Sequence, residues 1–170
     1  MSESAAGGRW YGPDEQFAVE VVLNGTATAL RASPRWTLAD AIRAQGLTGT
    51  HLGCEHGVCG ACTVLLDDEP VRACLVLAPQ AQGRRVDTVE GLADGDELHP
   101  VQAAFRRERG SQCGFCTPGF VVLAAWLVER EPAADLERVR EVLSSNLCRC
   151  TGYGPILAAT LAARAAGANA

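Results

Sequence analysis

Residues 53–62 read Gly-Cys-Glu-His-Gly-Val-Cys-Gly-Ala-Cys, and they place three cysteines within one short, glycine-rich segment. Four residues separate the first cysteine from the second, two separate the second from the third, and a fourth cysteine follows after eleven more. A C-x4-C-x2-C run with a distant fourth cysteine is the ligand spacing of plant-type [2Fe–2S] sites. The glycines allow the backbone to turn sharply and bring N–H groups close to the sulfurs. We therefore predict a first cluster site, formed by Cys54, Cys59, Cys62 and Cys74.

Four further cysteines form a second group of two close pairs. Cys113 and Cys116 make one pair, Cys148 and Cys150 make the other, and thirty-one residues lie between the pairs. Each pair comes shortly before a proline that suits the first turn of a helix. Free N–H groups and the positive end of the helix dipole would then face the thiolates and stabilise an anionic cluster. The pattern predicts a second four-cysteine site, at the meeting point of two antiparallel helix hairpins.

Two other kinds of metal site, structural zinc and a Rieske centre, match the cysteine pattern less well. Structural zinc usually takes two C-x2–4-C pairs, whereas the first group holds one such pair and a single distant cysteine. A Rieske centre is suggested by Cys54 and His56, but no second cysteine is followed by a histidine at the required offset. His56 is therefore interpreted as a solvated or hydrogen-bonding loop residue and not as a ligand. A zinc-stabilised interaction module and a free-standing two-cluster ferredoxin remain open as alternative functions.

Composition excludes several classes of function. The chain has 170 residues, 48% of them hydrophobic and 21% charged, so it can fill a core. Its net charge is -5 and its fifteen basic residues are all arginine, without the clustered cations that nucleic acid requires. The longest apolar stretch, residues 120–128, is far shorter than the ~20 residues of a membrane-spanning helix. Since residues 1–12 do not resemble a secretory signal, we expect a cytoplasmic protein without disulfides.

The first half of the chain is predicted to be a mixed sheet with one helix. Alternating apolar residues and the Asn24-Gly25 dipeptide indicate a β-hairpin. Thr37 and Asp40 resemble a capping arrangement at the start of a helix that ends near Gly46. The predicted strands are residues 17–23, 26–32, 63–66, 71–77 and 84–89.

The second half is predicted to be helical. Four short amphipathic segments begin near Pro100, Pro118, Leu136 and Pro155, and short connections between them favour a small antiparallel bundle. The boundary between the two halves is predicted within residues 91–98. No Gly-x-Gly-x-x-Gly motif, P-loop lysine or separate catalytic set accompanies the cysteines, so we expect electron transfer without a catalytic residue on this chain.

Three segments resemble the small iron–sulfur subunit of the xanthine oxidase family of molybdenum hydroxylases. They are residues 53–62, residues 112–119 (Gln-Cys-Gly-Phe-Cys-Thr-Pro-Gly) and residues 146–153 (Asn-Leu-Cys-Arg-Cys-Thr-Gly-Tyr). The resemblance covers roughly residues 17–165 and includes all eight cysteines in order. It implies an α+β fold in which a β-grasp ferredoxin-like domain at 16–92 precedes an all-α four-helix bundle domain at 98–166. Residues 1–15 would form a mobile N-terminal arm.

The resemblance also implies cofactors and partners. Each domain would hold one [2Fe–2S] cluster, and Gln112 and Cys150 would hydrogen-bond the edge of a molybdopterin cofactor, in its cytosine dinucleotide form, on a large partner subunit. FAD would lie on a medium partner subunit, in a heterotrimer or a dimer of heterotrimers. The chain would relay single electrons from molybdopterin to FAD while the large subunit hydroxylates its substrate with oxygen from water.

Overall fold

The computed structural model describes residues 10–167 of the chain. Within these residues there are five strands and five α-helices, and all five strands come before four of the helices. They are β1 (Phe17–Leu23), β2 (Thr26–Ala32), α1 (Leu38–Ala44), β3 (Thr63–Leu66), β4 (Glu69–Arg72), β5 (Arg85–Asp87), α2 (Pro100–Arg107), α3 (Thr117–Arg130), α4 (Leu136–Ser144) and α5 (Gly154–Gly167). The architecture is therefore α+β, as the sequence predicted.

The five strands form one mixed sheet in the order β2-β1-β5-β3-β4. β1 and β2 pair antiparallel through the tight turn at Asn24 and Gly25, whose φ angles of 49° and 77° match the predicted hairpin turn. β5 lies between β1, to which it is parallel, and β3, to which it is antiparallel. The alternating apolar residues of β1 point into a core that the sheet shares with α1.

The short helix α1 begins at a capping box. The Asp40 amide donates to the Thr37 hydroxyl at 3.1 Å, and the Thr37 amide donates to the Asp40 carboxylate at 2.9 Å. Leu38 and Ile42 are fully buried against the sheet. Because the helix has seven residues, its stability comes from this cap and from packing rather than from helix propensity.

The fourth strand differs from the prediction of residues 71–77. Asp67 and Asp68 both adopt positive φ angles, 51° and 67°, and form a two-residue turn, so β4 already begins at Glu69. The chain then leaves the sheet after Arg72, and the Leu75 amide donates to the Arg72 carbonyl at 2.8 Å in a turn. Cys74 therefore lies on a turn and not on a strand.

Helices α2–α5 surround a second apolar core, separate from the core under the sheet. Phe120, Leu127 and Ile156 are fully buried in it. The helices begin where the sequence predicted, with Pro100 and Pro118 in their first turns. α3 also packs across β3 and β4, so it joins the helical part of the chain to the sheet.

The predicted N-terminal arm, residues 1–15, lies partly outside the described residues, which begin at Trp10. The Glu15 amide donates to the Gly12 carbonyl at 3.1 Å, and the Tyr11 ring lies 4.6 Å from the ring of Phe17. No helix among residues 10–167 is long and apolar enough to cross a membrane.

Candidate iron–sulfur sites

Three cysteines of the first group, Cys54, Cys59 and Cys62, lie in the loop that joins α1 to β3. This loop turns sharply at Glu55, Gly57 and Gly60, whose φ angles are 53°, 76° and 72°. The turns direct the amides of His56 and Cys59 toward the sulfur of Cys54, each at 3.4 Å. These donated hydrogen bonds, with that of Cys59 contributing most, lower the pKa of Cys54 to about 6. The loop therefore stabilises a thiolate at this position.

The other two cysteines of the first group are buried. Cys62 lies immediately before β3 and contacts Cys74 on the turn after β4. Burial raises the pKa of Cys62 to about 11, because the low-dielectric surroundings disfavour an isolated thiolate. The first site thus consists of a half-buried pair, Cys54 with Cys59, and a buried pair, Cys62 with Cys74.

The second cysteine group also consists of two pairs. The sulfurs of Cys113 and Cys150 lie 3.5 Å apart, and both residues are exposed. Cys116 and Cys148 contact each other and are half-buried beside the first turn of α3. Burial raises the pKa of Cys116 to about 12, whereas the backbone amide of Phe115 lowers the pKa of Cys113. The group therefore has one edge open to solvent and one edge against the helices.

The segment after the last cysteine supports Cys148. The Thr151 hydroxyl lies 3.1 Å from the Cys148 sulfur, and the Thr151 amide donates to that sulfur at 3.4 Å. Burial opposes ionisation here, but these contacts outweigh it and lower the pKa of Cys148. The Cys148 amide in turn donates to the Tyr153 hydroxyl at 3.1 Å. The rings of Tyr153 and Phe120 form a T-shaped pair with centroids 6.1 Å apart, which anchors the loop to the helical core.

Pairs of sulfurs suit a two-iron cluster. Among residues 10–167, no three or more His, Cys, Asp or Glu side chains converge as ligands of a single metal ion. A [2Fe–2S] cluster takes four cysteines, two on each iron, so two neighbouring sulfur pairs supply its donor set. The residues present fit this group in their number, their chemistry and their pairing.

A contact between the two cysteine loops was not predicted from the sequence. The His51 ring stacks on Phe115 with ring centroids 4.9 Å apart, and His51 Nδ1 donates to the Phe115 carbonyl at 2.6 Å. His51 lies near the start of the first loop and Phe115 lies between two cysteines of the second. They are 64 positions apart in the sequence, and no local pattern links two residues at that distance.

The remaining residues singled out in the sequence lie beside the cysteine sites, at the exposed N-terminal end or in the helical core. His56 Nδ1 donates to the carbonyl of Cys54, so the imidazole is held within the loop. Gln112 and Arg149 are exposed next to the open cysteine pair of the second site. Trp10 is 95% exposed, and Trp126 packs against the helical core.

Two family models match the chain one after the other. Residues 21–93 match the family described as "2Fe-2S iron-sulfur cluster binding domain", and residues 88–161 match the family described as "[2Fe-2S] binding domain". The division between them falls close to the division between the two apolar cores. The fold and the paired cysteines therefore define a protein that binds iron–sulfur clusters of the [2Fe–2S] type.

Curated proteins and solved structures narrow this class. The nicotine 6-hydroxylase small subunit of Paenarthrobacter nicotinovorans is 51% identical over 88% of this chain and 90% of its own length. The xanthine dehydrogenase iron–sulfur-binding subunit of Escherichia coli O157:H7 is 41% identical over 84% of this chain and 91% of its own length. A chain of quinoline 2-oxidoreductase from Pseudomonas putida 86 superimposes with a TM-score of 0.86 at 46% identity, covering 91% of this chain and 97% of that one.

These likenesses cover nearly the whole chain at high identity. The chain belongs to the [2Fe–2S] subunits of the xanthine oxidase family of molybdenum hydroxylases and is the iron–sulfur subunit of an oxidoreductase. The family that the cysteine motifs resembled is confirmed.

Proposed function

We propose that this chain relays single electrons from a molybdopterin centre, through two [2Fe–2S] clusters, to FAD on a partner subunit. The observation that carries the proposal is the division of eight cysteines into two sites, each with two sulfur pairs and each in its own module. We infer that the module around the sheet is a β-grasp ferredoxin-like domain at 16–92 and that α2–α5 form a four-helix bundle domain at 98–166. When bound, each cluster supplies a reversible one-electron couple.

At the first site, the protein would hold one cluster through Cys54, Cys59, Cys62 and Cys74. The amides of His56 and Cys59 donate to the Cys54 sulfur and offset negative charge there. The buried pair, Cys62 and Cys74, excludes water from one side of the site. The half-buried pair faces outward, where the side chain of Val58 is also exposed, so this edge is the one we expect to meet the FAD subunit.

At the second site, the protein would hold one cluster through Cys113, Cys116, Cys148 and Cys150. The open pair, Cys113 and Cys150, is the part that a partner can reach. Gln112 is exposed beside it and carries both a hydrogen-bond donor and an acceptor. We propose that Gln112 and Cys150 contact the molybdopterin edge. A cytosine dinucleotide form of that cofactor is part of the same proposal.

The proposed relay role requires partner subunits. A chain with two one-electron sites needs a donor and an acceptor, and we place these on a large molybdopterin-binding subunit and a medium FAD-binding subunit. The complex is proposed as a heterotrimer, or a dimer of heterotrimers, in the cytoplasm. Two relatives are named for nicotine 6-hydroxylation and for quinoline 2-oxidation. We therefore propose a nitrogen-containing aromatic ring as the substrate class of the large subunit.

The test is spectroscopic and analytical. The complex is purified anaerobically with its partner subunits and assayed for iron and acid-labile sulfide, and the reduced sample is examined by electron paramagnetic resonance (EPR) at low temperature. We expect equal amounts of iron and labile sulfide, and two distinct two-iron signals. Zinc in place of iron, or a colourless preparation, would contradict the proposal. Isolation of the chain with clusters but without larger subunits would instead favour a free-standing ferredoxin.

A further inference from the structure

A buried asparagine lies where the two modules meet, and neither the cysteine motifs nor the family models assign it a role. Asn146 is 1% exposed and comes two residues before Cys148. Its side-chain amide donates to the carbonyl of Gly60 at 3.2 Å, across 86 residues of sequence. Gly60 in turn follows Cys59 directly. Asn146 thus joins a residue beside the first site to a residue beside the second.

Its two neighbours make parallel contacts. The Leu147 amide donates to the Cys59 carbonyl at 2.9 Å, and the Arg72 guanidinium donates to the Ser145 carbonyl at 2.7 Å. Three consecutive residues, 145–147, therefore each hold one hydrogen bond to the sheet module. We refer to residues 145–147 as the junction segment.

The fit at the junction is close on both sides. A Cβ atom built at Gly60 would lie 2.0 Å from Asn146 Oδ1, and one built at Gly119 would lie 2.3 Å from the Gly60 carbonyl oxygen. That oxygen also accepts from the Thr63 hydroxyl at 2.6 Å. The loop that carries Cys59 is therefore enclosed by α3 and by the junction segment. Moving the two loops apart would leave the buried Asn146 amide nitrogen without its acceptor, so this hydrogen bond favours one arrangement of the loops.

We propose that Asn146 is a positioning residue that fixes the separation of the two cluster sites. The inference rests on the proposed two-cluster function. Asn146 and the Leu147 amide tie Cys59 of one site to the segment that leads into Cys148 of the other. The separation of two redox sites governs how fast an electron passes between them, so a fixed junction sets that rate without contacting either site's sulfurs.

The experiment uses the complete complex with the variant Asn146→Ala. Thr160→Ala is the matched control, because Thr160 is also fully buried and loses one hydrogen bond, to the Ile156 carbonyl at 3.0 Å, away from the junction. The first readout is the splitting of the low-temperature EPR signals that arises from the magnetic interaction between the two reduced clusters. We expect Asn146→Ala to lose the resolved splitting at wild-type iron content, and Thr160→Ala to retain it.

The second readout is hydrogen exchange at the Leu147 amide, followed by mass spectrometry in the complex. We expect exchange to be about five- to tenfold faster in Asn146→Ala, as follows from the loss of one buried hydrogen bond. If Asn146→Ala does not assemble, Arg72→Gln tests the same junction from the sheet side and is expected to change both readouts in the same direction. Wild-type splitting in the variant that assembles would overturn the proposal. Absence of two two-iron signals in the wild-type complex would instead overturn the proposed function.

Discussion

At the scale of single residues, Gly60 combines two requirements that only glycine meets. Its φ angle of 72° lies in the left-handed region, and its α-carbon faces Asn146 without room for a side chain. Gly83 has nearly the same φ angle, 74°, but no atom lies within 4 Å of the position where its Cβ would be. The two glycines therefore separate the cost of backbone strain from the cost of crowding.

We expect Gly83→Ala to lower the free energy of unfolding by about 1–2 kcal/mol, which is the usual cost of a left-handed backbone with a Cβ. Gly60→Ala is expected to cost about 1–3 kcal/mol more, because the added methyl group displaces Asn146. The measurement is the thermal unfolding midpoint of the iron-loaded protein. Equal losses in the two variants would show that the junction yields to the added methyl group.

At the scale of secondary-structure elements, the sequence predicted most of the architecture. The hairpin at Asn24 and Gly25, the capping box of α1 and the prolines at the helix starts are local signals, and each was found where expected. β4 was predicted wrongly, because the apolar run of residues 71–77 resembles a strand. The turn at Asp67 and Asp68 sets the register of β3 and β4 instead. The positive φ angles of both residues, which place the strand start at Glu69, could not be predicted from the residue types alone.

The cap of α1 gives a prediction at this scale. Thr37→Ala removes the acceptor for the Asp40 amide and leaves a seven-residue helix without its cap. We expect a loss of about 1 kcal/mol in the free energy of unfolding. Thr26→Ala, at an exposed position on the edge strand β2, serves as the control and is expected to stay within about 0.5 kcal/mol of the wild type. Thermal melts followed by circular dichroism measure both variants. A Thr37→Ala midpoint equal to that of the control would show that the cap does not stabilise the protein.

At the scale of the whole molecule, what the sequence did not reveal is how the modules meet. Contacts such as His51 with Phe115 and Asn146 with Gly60 join residues 64 and 86 positions apart. Spacing rules predict which cysteines share a loop, because those ligands are close in sequence. They do not predict which loops share an interface, since that depends on how α3 packs across the sheet.

Separate modules predict separate losses of the two clusters. Cys74→Ser removes a buried proposed ligand from the sheet module, and Cys150→Ser removes an exposed proposed ligand from the helical module. We expect each variant to lose one of the two EPR signals and to keep the other, so that each serves as the control for its partner. Loss of both signals in either variant would mean that the sites form one cooperative unit.

Removal of iron is expected to loosen the second site in particular. Arg149 is exposed between two cysteines, in a segment without helix or strand. Because metal binding and local folding are coupled, we expect trypsin to cut after Arg149 far faster once iron is chelated. Mass spectrometry of the fragments identifies the cut, and the Arg149→Gln variant should lack it. A cutting rate that chelation leaves unchanged would show that this segment is folded by its protein contacts alone.

The contact of Gly119 with the Gly60 carbonyl limits how the two modules can be recombined. A Cβ on α3 at this position would collide with the loop that carries Cys59. If recombination replaces the sheet module with that of a distant relative, the new loop must pack equally close to Gly119. Otherwise the two modules will not pack together. Chimeras that transplant residues 53–62 together with Gly119 and the junction segment should tolerate the exchange better than chimeras divided only at residues 91–98.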